Sequence, residues 1–427
     1  MTEPAPERSS RASEDYINLG RTALENHLET EKNKIPNASK LYRITDFITK
    51  RVWSWFYYYL DSRFGRNYPY SDYTDAPDKG IYRMVRSEDS SRDHVTIALC
   101  ADWGTYTRES FHIAQRIGGH QPDYTIHLGD TYFVGEPKEI KRNFIDPQAP
   151  WIRGKVGSFA VLGNHEMYAR GIAFFKDLLP TLGLKVNGHY QGQHAGFVCL
   201  ENDHWRILAL DTGYHSIGRI PLLEMVPGLG PDSRLDPLLI KWLMDDVRLG
   251  DPQDKRGLLI LTHHQYVTAF NEGEYLVPAR QLARLLGTHR PILWIWGHEH
   301  KFSMYEKVQI GQGVTAYGRC IGHGGMPVEV DHFKLKRNRH GRGKLVFCDR
   351  RIHRTQWHKK IPLGYNGYAL VKIKANQLTI EYRDFFHLLV TERWQVSADG
   401  SLQGEIIPSS DIPLEPEPGK QWQDAVR

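Results

Sequence analysis

Four cysteines in 427 residues, with no C-x-x-C pair among them, exclude a disulfide framework and a thiolate metal cage. Cys100, Cys199, Cys320 and Cys348 lie far apart, three of them in or beside apolar runs, and read as reduced core thiols. That pattern fits a reducing compartment, so the expected location is the cytoplasm. The opening stretch MTEPAPERSSRASEDY has no apolar run behind a basic head, so no secretory signal is read there. No uninterrupted apolar stretch reaches bilayer length, and there is no internal repeat. A strong charge of one sign is also lacking. The net charge is +5 and the pI is near 8.8, and a small excess spread over this length says little about partners. Hydrophobic residues at 40% and charged residues at 25% exclude global disorder and a multi-span membrane protein.

The length admits one large catalytic domain with appendages, or two domains. Residues 1–90 read as an N-terminal helical extension and connection, 91–396 as the main domain with a basic insertion at about 330–362, and 397–427 as a C-terminal tail. Within the extension, Ser13 to about Leu60 is helical in pattern. Ile44, Phe47, Ile48, Val52, Trp55, Phe56, Tyr59 and Leu60 fall at helical spacing, with Thr45 or Asp46 as N-cap. An aromatic stripe of this kind packs on a neighbouring domain more often than on a membrane or a partner.

From about residue 91 apolar runs recur: HVTIALCADWG, DYTIHLGD, GSFAVLGNH, HWRILALDTG, GLLILTHHQ, PILWIWGHEH and GVTAYGRCIG. Helical segments such as RESFHIAQRIG and PLLIKWLMDDVRL lie between several of them, so the fold class is α/β with strands buried on both faces. A last segment, GYALVKIKANQLTIEYRDFFHLLVTERWQVSADGSL, alternates apolar and polar residues around turns at Ala375-Asn376 and Asp399-Gly400, and reads as antiparallel strands.

Nearly every apolar run ends in Asp, Asn or His, at the carboxyl end where open α/β sheets gather their ligands. Five clusters result: Asp102-Trp103-Gly104, Gly129-Asp130, Gly163-Asn164-His165-Glu166, His263-His264 and Gly297-His298-Glu299-His300. Carboxylate, amide oxygen and imidazole together suit Mn, Fe, Zn or Co and not soft thiophilic ions. His298 and His300, flanking one residue after the apolar run ILWIW, would be costly to bury without a cation or other partner.

The ordered set D-x-G, G-D, G-N-H-E, H-H and G-H-x-H, over roughly Val95 to Cys320, resembles the calcineurin-like metallophosphoesterase superfamily. The resemblance implies a four-layer α-β-β-α sandwich with a dinuclear centre of two divalent or trivalent ions. Asp102 and His300 would hold the first metal, Asn164, His263 and His298 the second, and Asp130 would bridge them. It further implies a metal-bridging hydroxide that attacks phosphorus, with His165 as general acid to the departing alkoxide. Glu166 reads as an orienting neighbour.

Gly104 departs from the family's usual D-x-H, so the first metal lacks a His ligand. A D-x-G form also occurs in the purple acid phosphatase branch, which supplies a tyrosinate from G-D-x-x-Y. Here Tyr132 stands one residue earlier than that pattern. Either Tyr132 reaches the metal or the first site keeps fewer protein ligands. His127, His264 and His323 read as structural, and Asp211 as structural or as a neighbour to the ligands.

The segment HFKLKRNRHGRGKLVFCDRRIHRTQWHKK holds one acid among many Arg and Lys. It reads either as a rim for a polyanion, centred on 334–360, or as a solvated insertion. Phe133 stands where the protein serine/threonine phosphatase branch has the second Asp of G-D-x-x-D-R-G, which favours a phosphorylated small molecule or nucleotide as substrate. The alternatives are a binding module with the same fold and little or no activity, and a nuclease.

Overall fold

The computed structural model describes residues 65–88, 90–217, 233–270, 273–287, 290–330, 335, 343–352 and 363–427, together with positions 53, 57, 58 and 61. Most of the expected N-terminal helical stripe therefore lies outside the described residues, as does most of the basic segment.

Two nine-stranded sheets are stacked. In one, the parallel strands β1 (Val95–Cys100), β2 (Tyr124–His127) and β3 (Gly157–Ala160) lie side by side. In the other, β4 (Trp205–Ala209), β5 (Gly257–Thr262), β6 (Arg290–Trp296) and β7 (Val314–Ile321) are also parallel. Each strand divides its apolar residues between two cores, as the period of two requires. Ile97, Leu99, Leu259 and Leu261 enter the core between the sheets. Ala98 and Cys100 face outward to Ile113, Ala114 and Ile117 of helix α1 (Arg108–Gly119). Leu258 and Ile260 face outward to Leu239 and Trp242 of α2 (Pro237–Asp245) and Leu282 of α3 (Leu276–Leu286). Three cores between four layers give the α-β-β-α sandwich, and burial on both faces explains the nearly continuous apolar runs.

After β7 the chain returns through antiparallel strands β8 (Gly367–Lys374), β9 (Gln377–Asp384), β10 (Leu388–Val396) and β11 (Leu402–Pro408), which extend the first sheet outward from β1. The stretch expected as a C-terminal tail thus contributes β11, the edge strand, and buries Ala425 in the core between the sheets. Within the expected basic insertion, Leu345–Cys348 is a strand paired with Phe302–Tyr305. Its sequence, LVFC, is apolar and fully buried, which is why it joins the sheet while charged residues flank it. All four cysteines are buried and unbridged. Among the described residues no helix is long and apolar enough to cross a membrane.

Candidate metal centre

The carboxyl ends of the two sets of parallel strands meet edge to edge, and the five clusters converge there. The His298 backbone N–H donates to Asp102 Oδ2 at 2.7 Å, and His263 Nδ1 donates to the Leu128 carbonyl at 2.9 Å, so each sheet grips the turn of the other. Asp102, Asp130 and His298 all adopt left-handed backbone, with φ of 54°, 71° and 64°. Such conformations cost energy in residues with a Cβ and persist where the surroundings force a side chain toward a site.

Three acceptors crowd one atom. His263 Nε2 lies 3.2 Å from Asp130 Oδ2, 3.2 Å from Asn164 Oδ1 and 3.2 Å from His298 Nδ1. With Nδ1–H committed to Leu128, a proton on His263 Nε2 can be given to only one of these neighbours at a time, whereas a divalent cation would serve all of them. The electrostatics agree. Burial works against the charged His263, yet the Asp130 carboxylate outweighs it and pulls its pKa up to about 9. Asp130 is likewise opposed by burial but held well below its ordinary value by His263 and His165. His298 is driven down to about 4, by burial first and His263 second. The Asp130 carboxylate thus draws positive charge to His263, the position a cation would take with that imidazole deprotonated.

On the other side of Asp130 a second group assembles. The Tyr132 hydroxyl lies 2.7 Å from Asp102 Oδ1, 3.1 Å from Asp130 Oδ2 and 3.0 Å from His300 Nε2. Burial, then Asp102 and Asp130, raise the phenol well above its ordinary value. Here too one proton faces several acceptors. Gly104 makes the approach of Tyr132 possible. It bridges to Thr131, and a Cβ on it would stand 3.0 Å from the Thr131 Cα.

Thus Asp102, His300 and Tyr132 lie to one side of Asp130, and Asn164, His263 and His298 to the other. Asp102, Asp130 and His263 are fully buried, whereas Asn164, His298 and His300 are partly exposed, so the centre opens through their edge. Asp102, Asp130 and His263 form one buried group able to hold a metal ion, and His263, His264 and His298 form another.

His165 sits beside rather than within these groups. Its Nδ1 donates to the Phe133 carbonyl at 2.6 Å, which leaves Nε2 facing Asp130 Oδ2 at 3.8 Å. Burial lowers its pKa, with Asp130 opposing. Glu166 Oε2 accepts from the backbone N–H of Asp130 at 3.2 Å and of Gly163 at 2.9 Å, tying the two turns together.

The histidines expected to be structural divide. His127 is caged edge-on by Trp103, Phe144 and Trp151 and is driven down to about 3 by burial. His323 stacks on Phe302. His264, by contrast, belongs to the three-histidine group, with Nδ1 on the Thr212 hydroxyl at 3.1 Å. Asp211 accepts from the Gly213 and Tyr214 amides and shapes the turn behind that threonine. One contact was not legible in the sequence. The Tyr275 hydroxyl is 3.4 Å from His298 Nε2, in a stretch without a motif, and only the folding of the loop back on Gln265 brings it there.

Residues 95–302 match the family model of the calcineurin-like phosphoesterases. None of the curated proteins matches the chain. Among solved structures the chain is similar to GAP50, described as the anchor in the inner membrane complex of Plasmodium, at 12% identity over 72% of this chain and 90% of that one, with a TM-score of 0.45. It is similar to PhoD at 10% identity over 77% and 74%, TM-score 0.45. It is also similar to a predicted phosphoesterase from Streptococcus pneumoniae TIGR4 at 11% identity over 74% and 100%, TM-score 0.26.

Proposed function

From a chain whose residues 95–302 belong to the calcineurin-like phosphoesterase family, we propose an enzyme that hydrolyses esters of phosphoric acid on a small molecule or nucleotide, using two cations. Asp102, His300 and Tyr132 would hold one, Asn164, His263 and His298 the other, and Asp130 would serve both. The observation that carries the reading is the meeting of Asp130, Asn164 and His298 at His263 Nε2, each at 3.2 Å, a convergence of carboxylate, amide and imidazole donors that suits a cation. When bound, the ions would supply a nucleophile from water at neutral pH and neutralise charge on the phosphoryl oxygens.

The protein's own groups do the rest. The Leu128 carbonyl fixes the His263 tautomer and so turns Nε2 inward. Glu166, through the Asp130 and Gly163 amides, holds the shared carboxylate in place. The Phe133 carbonyl fixes His165 in the same way, leaving Nε2 as the atom that delivers a proton to the departing oxygen, a contribution of about two to four orders of magnitude. Burial lowers the His165 pKa, and the Asp130 carboxylate opposes it by favouring the protonated form.

The test is to strip the protein of metal, restore Mn, Zn, Fe and Co in turn, and assay para-nitrophenyl phosphate beside bis-para-nitrophenyl phosphate, with Asp130→Asn and His165→Ala as controls. Turnover that depends on a restored metal and is abolished by Asp130→Asn supports the reading, and the ratio of substrates sorts monoesterase from diesterase. Metal-loaded protein without turnover on either ester would sink it.

A further inference from the structure

On the His165 side the centre is flanked by aromatic rings that the hydrolytic chemistry leaves unused. Tyr168 packs edge-on against the His165 ring, with centroids 5.1 Å apart at 86°, and remains partly exposed. Behind it Tyr132, Phe133, Val134 and Met326 form a small buried cluster, against which both Tyr168 and Tyr58 pack.

Tyr58 belongs to the N-terminal extension, and that extension is fastened to the rim. Asp61 pairs with Arg170 at 2.6 Å. The Tyr68 amide donates to the Arg170 carbonyl at 2.9 Å, and the Tyr68 ring stacks on Phe175 at 5.5 Å. The Tyr214 hydroxyl donates to the Tyr68 carbonyl at 2.7 Å. The contacts with Arg170 and Phe175 run along the segment that follows the G-N-H-E turn, so they hold the chain beside Tyr58 close to the element that carries His165.

We infer that Tyr58 and Tyr168 form an aromatic wall for the alcohol portion of the ester and select substrates whose leaving group is a flat aromatic ring. This rests on the hydrolase reading, because it is the role of His165 toward the departing oxygen that brings the alcohol to this side. Tyrosines suit such a wall. They present broad, stiff surfaces with few rotatable bonds, and a flat ring gains edge-to-face or offset contacts that a saturated group of similar size does not.

The experiment uses the full chain loaded with Mn and reads binding by calorimetry, so that it does not depend on turnover. Phenylphosphonate, cyclohexylphosphonate and methylphosphonate are compared in the wild type, Tyr58→Ala and Tyr168→Leu, with inorganic phosphate as the check on the centre itself. The wild type should bind phenylphosphonate about five- to tenfold more tightly than methylphosphonate, with cyclohexylphosphonate between them. Each variant should reduce that preference to about twofold or less while leaving phosphate affinity unchanged. Equal binding of the phenyl and methyl compounds, or of the phenyl and cyclohexyl compounds, overturns the wall. So does a preference that survives in both variants. Turnover of para-nitrophenyl phosphate without the phenyl preference removes the wall and keeps the hydrolase. A phenyl preference without turnover keeps the two tyrosines as an aromatic binding surface but removes both the hydrolase and their role toward a leaving group, and metal-loaded protein that binds none of the compounds removes all of it.

Discussion

The Tyr132 hydroxyl donates to Asp102 Oδ1 across 2.7 Å, although Tyr132 stands one residue earlier than the family's tyrosine pattern. Its phenol is buried against two carboxylates and a histidine, a costly place for a group with one proton unless a cation shares it. Tyr132→Phe should weaken cation binding on the Asp102 side by about 10- to 100-fold in calorimetric titration with Mn or Co. Melting of the metal-free protein should change little by comparison, and a large loss of stability without a loss of metal affinity would reduce Tyr132 to a packing residue.

Gly163 has no room for a side chain. A Cβ there would lie 2.1 Å from Asp130 Oδ1 and 2.6 Å from the Asp130 amide. Gly163→Ala should therefore displace the shared carboxylate, lowering both metal content and activity at least about 100-fold, and metal analysis after dialysis would read it.

Removing His263 should take one of the two proposed cations with it. His263→Ala should lower the bound metal from two ions per chain toward one, measured by elemental analysis. Two tightly bound ions in this variant would contradict the placement of His263 at 3.2 Å from both Asp130 and Asn164.

Chelation should lower the melting temperature. Ligands that bind only the folded chain add stability through mass action, about 2.7 kcal/mol when present at a hundred times the dissociation constant. In metal-free protein a raised His263 pKa means that the His263–Asp130 pair contributes stability that is present below the unfolded histidine value, near 6.5, and lost as pH rises through about 9. The loss of stability on chelation should thus be larger at pH 9 than at pH 7, and scanning calorimetry at the two values checks it.

Away from the centre, Arg319 on β7 pairs with Glu392 on β10 at 2.6 Å, both fully buried, and so bolts one sheet to the other. Tyr382 and Trp394 donate to the same carboxylate, and Arg319 also donates to the carbonyls of Tyr305 and Ala425. Arg319→Met leaves Glu392 charged without its cation and should cost about 3–5 kcal/mol in denaturant unfolding, part of which Glu392→Gln in the same chain should restore.

The sequence by itself determined an α/β domain with strands buried on both faces, and the motif resemblance supplied the sandwich and the proposed ligand set. Apolar runs buried on both faces require sheets covered on both sides, and Asp102, Asp130, Asn164, His263, His298 and His300 each follow such a run closely enough that strand direction carries them to one edge. Where those residues sit relative to one another belonged to the tertiary structure, because it depends on how two separate sheets meet. The His298 amide reaches Asp102 only when the sheets are stacked, and Tyr132 reaches Asp102 only because Gly104 lets the Thr131 backbone pass close beside it. His264 looked like its structural neighbours in the sequence, and packing against Tyr275 and His298 set it apart. Tyr58 was not among the residues of the aromatic stripe read in the sequence, which passed through its neighbour Tyr59. The attachments of Asp61 and Tyr68 to the segment after His165 join residues about a hundred positions apart, and no local periodicity encodes a contact of that range.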